Sequence, residues 1–141
     1  MTVISTLISC IISALVAWLV AKRQVSTNFG LQEMKDYITI AAMEQKILDC
    51  KIEIEKENGG ELKELHNTKL DVLDHQYHNI FEALCSRYLD NKIDKQNFKV
   101  MYEGYLRDLI DIDKSNQNKF YGEDSKYQKT IAVAKEFKIL M

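Results

Sequence analysis

Residues 2–21 read TVISTLISCIISALVAWLVA, twenty residues with no charge, no proline and no glycine. At ~1.5 Å rise per residue this run spans about 30 Å as a helix, the thickness of a bilayer's hydrocarbon core. Ten of the twenty are Val, Ile or Leu. At roughly −0.3 to −0.6 kcal/mol each, they favour insertion by about 3 to 6 kcal/mol. Lys22 and Arg23 end the run, and nothing basic precedes it. The stretch therefore reads as a single membrane-spanning helix. A cleaved signal peptide fits less well, because only Met1 precedes the run and Leu19-Val20-Ala21 is a poor cleavage site. The positive-inside rule then places Met1 outside and the rest of the chain in the cytosol. Trp18 sits where an interfacial anchor belongs.

Working outward, every one of the 19 Lys and Arg and the 21 Asp and Glu follows residue 21. The formal net charge of −2 lacks the basic excess of a nucleic-acid binder. Three cysteines make no disulfide framework: Cys10 lies in the span, and Cys50 and Cys85, in the cytosol, are expected as free thiols. The absence of proline fits long helices and argues against a turn-rich β architecture.

The apolar run has a face of small residues. Ser5, Ser9, Ser13, Ala17 and Ala21 recur every fourth position, with Thr2, Thr6, Cys10 and Ala14 beside them. Small residues at this spacing let two helices approach closely in lipid. The face predicts a homo-oligomer or a docking site for another membrane protein.

Val25-Ser26-Thr27-Asn28-Phe29-Gly30 reads as a juxtamembrane break, with a continuous helix as the other possibility. From Leu31 to Glu57 the pattern is helical. Leu31, Met34, Ile38, Ala41, Leu48 and Ile52 fall at three- and four-residue steps, with Gln45 interrupting the seam. Such a stalk either pairs with itself as a short coiled coil or folds back on the rest of the chain, and folding back is favoured because the seam is short and interrupted. Asn58-Gly59-Gly60 is a stop and turn. The next helix runs from Glu61 to Asp90 with an inward stripe of Leu62, Leu65, Leu70, Leu73, Tyr77, Ile80, Phe81, Leu84 and Tyr88. Asp94 is positioned to cap a third helix that buries Phe98, Met101, Tyr102, Tyr105, Leu106, Leu109 and Ile110. Residues 114–123 read as a polar loop. Asp124 or Ser125 caps a last helix that reaches about Ile139. The fold class is all-α: a transmembrane anchor over residues 1–23, a stalk helix over 24–60, and a cytosolic helical domain over 61–141.

Chemistry-bearing groups are sparse. Asp71, Asp74, His75 and His78 form D-x-x-D-H-x-x-H and share an arc of roughly 100° on one helix. Two imidazoles and two carboxylates are reasonable ligands for a divalent metal, or the elements of a pH-responsive contact. Histidines beside a core stripe more often make ordinary hydrogen bonds, and that reading is preferred. The stretch around Ile93 fails as a calcium loop, because Ser86, Tyr88, Asn91 and Asn97 fall where Asp, Asp or Asn, Gly and Glu are needed. Cys85 sits between Leu84 and Tyr88 and reads as a buried structural thiol. There is no nucleophile elbow, phosphate-cradling loop or zinc-protease histidine pair. No catalytic residue, metal or cofactor is assigned, and the chain does not read as an enzyme. Phe120 and Tyr121, aromatic in a polar loop, are candidates for a contact surface.

The order of short span, basic stop, stalk helix, FEALCSRYLDNKID and F-x-x-M-Y resembles a widespread set of bacterial single-pass membrane proteins with a small helical cytosolic domain. The matching residues are Phe81-Glu82-Ala83-Leu84-Cys85, Ile93-Asp94, Phe98 and Tyr102. The resemblance implies an inner-membrane protein with no assigned catalytic activity, accessory or defence-associated by analogy, and it transfers no site residues. Two functions are expected from the whole reading. One is a membrane-anchored interaction module of an inner-membrane assembly. The alternative is a small oligomeric effector that opens a membrane leak when its cytosolic part is triggered.

Overall fold

The computed structural model describes the backbone of residues 2–57, 59–115 and 118–140, and within these it leaves the side chains of residues 2–12 and 22–29 undescribed. The described residues are helical, with no strand. α1 spans Thr2–Lys56, α2 Glu61–Leu89, α3 Lys95–Ser115 and α4 Gln128–Glu136. The chain divides into two compact units, Met1–Tyr37 and Ile38–Met141.

The first unit is helix. Residues 25–30, read above as a break, are helical. Ser, Thr and Asn are weak helix formers rather than breakers, and one glycine costs about 1 kcal/mol relative to alanine. Leu15, Val16, Trp18, Leu19 and Val20 are all exposed, as are Ser13, Ala17 and Ala21 of the small-residue face. Ser5, Ser9, Lys22 and Arg23 lie outside the residues whose side chains are described. Among the described residues, no helix is long and apolar enough to cross a membrane.

The second unit is a helical bundle. The turn into α2 requires glycine, because Gly59 and Gly60 have φ of 115° and 95°, a region L side chains rarely adopt. At the next corner, Asp94 caps α3 as expected, its Oδ1 accepting the Asn97 N–H at 2.8 Å. The stretch of α1 from Ile38 onward lies antiparallel along α2. The Cys50 thiol donates to the His66 carbonyl, Lys69 reaches Glu53 at 3.2 Å, and Tyr77 donates to Glu44 at 2.6 Å. The stalk from Ile38 onward thus folds back, but on a different stripe from the one read in the sequence. Ile40 and Cys50 are fully buried, with Met43, Ile47 and Ile54 half-buried on the same face. Ile38, Leu48 and Ile52 are exposed, about half a turn round the helix.

The core sits where the second half of α2 meets α3 and α4. Phe81, Cys85, Phe98, Leu106, Val133 and Ala134 are completely enclosed. Tyr88, Phe98 and Tyr102 pack in series as tilted rings, with ring centres 4.7 and 4.9 Å apart. The first half of α2 departs from expectation: Leu62 and Leu65 are exposed, and the stripe becomes core only from about Tyr77. Met101, expected inward on α3, is also exposed.

Candidate functional site

Two carboxylates build the floor of the site. Asp113, near the end of α3, is 1% exposed and accepts the backbone N–H groups of Phe120 at 2.7 Å and Tyr121 at 2.9 Å. A buried carboxylate needs such donors, and here it draws the loop after α3 inward. Glu82, on α2, accepts the N–H groups of Lys129 and Thr130, each at 2.9 Å, and the Thr130 hydroxyl at 2.8 Å. The N-terminus of α4 is therefore capped from another helix, where a carboxylate also meets the positive end of the helix dipole. Asp124 and Ser125 do not cap it. Ser125 Oγ instead accepts the Tyr127 N–H and donates to the Phe120 carbonyl.

The loop places two aromatic rings on His78. Phe120 stacks on the imidazole with ring centres 3.7 Å apart, and the Tyr121 hydroxyl lies 2.5 Å from His78 Nδ1. Both loop aromatics are buried, which corrects their reading as an exposed contact surface. Burial lowers the His78 pKa to about 4, with His75 and Lys119 adding to the effect. Burial also pushes the Tyr121 phenol far up. Near neutral pH both groups are uncharged, so the Tyr121 O–H donates to Nδ1 and the imidazole proton resides on Nε2.

Beside this floor lies a half-open groove of about 550 Å³. Ile47 and Leu48 of α1, Leu70 of α2, Leu109 and Ile112 of α3, and Phe120 supply its apolar walls. Glu44, Lys51, Asp74, Tyr77 and His78 supply its polar atoms. Burial raises the Asp74 pKa, partly offset by Lys51 and Lys119. The Tyr77 phenol is likewise pushed up, by burial and by its hydrogen bond to Glu44.

The four residues of D-x-x-D-H-x-x-H are therefore divided. Asp71 is on the surface, where Lys119 holds it at 2.6 Å. His75 is exposed, with Nδ1 at 2.8 Å from the Asp71 carbonyl and its ring edge on Phe120. Asp74 lines the groove and His78 closes its floor. Among the described residues, no group of three or more His, Cys, Asp or Glu is placed to hold a metal ion. Helical spacing put the four on one arc, but Lys119 and Tyr121, arriving from a distant loop, take the groups a metal would need. Cys50 and Cys85 are free and buried. Burial pushes the Cys85 thiol up to about 12, well away from a reactive thiolate.

Glu44, Lys51, Leu109 and Ile112 were not singled out as a site in the sequence. They are ordinary helix residues, and only the fold-back of α1 brings them together. No known protein family matches the chain, and neither a curated protein nor a solved structure shows significant similarity to it.

Proposed function

We propose that this chain is a membrane-tethered protein-interaction module that self-assembles through the outer face of α1 within its second unit. The tether rests on the sequence: the uncharged run of residues 2–21 followed by Lys22 and Arg23 has the length and composition of a span. The module reading is carried by one structural observation. Ile38, Ala41, Leu48 and Ile52, at steps of three, seven and four, form an exposed row on a helix whose opposite face is already buried. A helix in a finished bundle needs one apolar stripe, and a second at heptad spacing is the pattern by which helices pair. Gln45, in the gap of the row, hydrogen-bonds Asp49 on its own helix at 2.8 Å. A lone polar group in such a seam fixes register at some cost in stability.

The test is a photo-crosslinking amino acid at Leu48 in cells, followed by fractionation. The expected result is sedimentation of the full chain with membranes and a discrete adduct of twice the chain mass, absent when Ile38→Lys and Ile52→Lys are combined. Recovery of the chain in the supernatant removes the tether. Loss of the adduct's dependence on Ile38 and Ile52 removes the row as the interface.

A further inference from the structure

The groove is a second apolar surface with its own recognition chemistry. Along α2 its lining runs from Leu70 to His78, about 12 Å at 1.5 Å per residue, or roughly two helical turns. That is the length over which one face of a helix presents anchors at i, i+3, i+4 and i+7. Ile112 and Leu48 stand at its lips, 59% and 52% exposed, so the groove opens sideways rather than enclosing a small ligand.

The charges around it are unbalanced. Glu44 and Asp74 line the groove, and Asp108 is close enough to act on Tyr77 within it. Lys51 is the one ammonium in the lining. The neighbouring Lys119 is already taken by Asp71, and Glu44 already accepts from Tyr77. Among the described residues, Asp74 has neither a hydrogen bond nor an ion pair within 4 Å, although it is half-buried. Its oxygens still meet solvent, and Lys51 and Lys119 act on it without an ion pair, so a cation that reaches it directly gains a charge-assisted hydrogen bond.

We propose that this groove seats an amphipathic helix of a partner protein, whose Leu- or Ile-type anchors fill the apolar wall and whose lysine or arginine pairs with Asp74. The two surfaces meet at Leu48, which lines the groove and belongs to the outer row of α1, but Leu109, Ile112 and Asp74 lie on α3 and α2 and take no part in that row, so substitutions there test the groove alone.

The test uses the full chain in nanodiscs and two designed helical peptides of about 15 residues, long enough to hold helix when docked. Both carry Leu at i, i+3, i+4 and i+7; one has a central Lys and the other Glu at that position. Fluorescence anisotropy should show the Lys peptide binding at least roughly tenfold more tightly than the Glu peptide. Asp74→Asn should bring the two within about threefold of each other, and Asp74→Lys should reverse the preference. Ile112→Lys should weaken the Lys peptide by about tenfold. Equal binding of the two peptides, or a preference for Lys that survives in Asp74→Asn, overturns the proposal. So does binding of dodecylammonium, followed by calorimetry, with no binding of either peptide, which would mark a site for small cationic amphiphiles. Because self-assembly is read from Ile38 and Ile52, failure here leaves that reading standing.

Discussion

Within the second unit, the end where α2, α3 and α4 meet is sealed, while the end where α1 lies along α2 is open. At the sealed end Phe81, Phe98, Tyr102 and Phe137 face one another, and the buried carboxylates are matched, although the enclosed Tyr127 hydroxyl has no hydrogen-bond partner among the described residues. Asp113 takes two amides, Glu82 takes the start of α4, and Tyr88 donates to Glu136 at 2.5 Å. At the open end Leu48, Ile52, Leu62, Leu65 and Ile112 are each at least 39% exposed, and a groove holds a carboxylate without a donor. Both ends are built from similar residues. One end completes the fold, and the other leaves apolar area exposed, which is the area the proposed interaction module would use.

The contrast breaks first at Phe81. Truncation to Ala at the sealed end should cost about 3–5 kcal/mol, because the ring is wholly enclosed and leaves a cavity. Urea denaturation of the full chain in detergent should show most of the unit's stability gone. Asp113→Asn should cost about 3 kcal/mol, since one acceptor oxygen becomes an NH₂ facing a buried amide. The same measurement checks it, and a loss under about 1 kcal/mol would mean that the loop holds itself.

His78 sharpens the comparison through pH. Its folded pKa, about 4, lies below the ordinary 6.5. Between those values the unfolded chain takes up a proton that the folded one refuses. Stability is therefore full above about pH 6.5 and falls as pH drops towards 4, by roughly 3 kcal/mol at most. The titratable groups around it are the Tyr121 hydroxyl, His75, Lys119 and the Tyr77 and Tyr127 phenols. His78→Gln should remove that part of the acid sensitivity, seen as a smaller difference between denaturation curves at pH 7 and pH 4.5. At the open end, Ile38→Lys combined with Ile52→Lys should change stability by less than about 0.5 kcal/mol per site, as surface positions do, when measured at a dilution where the wild type is also a single chain.

What the sequence disclosed follows the same division. The helices, the Asp94 cap, the glycine turn after α1 and the core stripe from Tyr77 onward were legible, because each rests on local spacing or local backbone chemistry. The orientation of α1 was not. Ile38, Ala41, Leu48 and Ile52 satisfy helical spacing as well as Ile40, Met43, Ile47, Cys50 and Ile54 do, and periodicity cannot say which stripe meets the bundle. Leu62 and Leu65 looked like core for the same reason, but α3 and α4 do not reach them. The start of α4 was misplaced because its cap, Glu82, lies 47 residues away. Asp71 and His78 looked like companions until Lys119 and Tyr121, brought by a loop that Asp113 folds, separated them.

The claim beneath this account is that the outer row of α1 is an interface rather than stray apolar surface. Sedimentation equilibrium of the full chain in density-matched detergent measures it directly, with wild type beside Ile38→Lys/Ile52→Lys. The account predicts a wild-type mass of at least two chains and a single-chain mass for the variant. A monomeric wild type, or an assembly the two lysines leave intact, would contradict it.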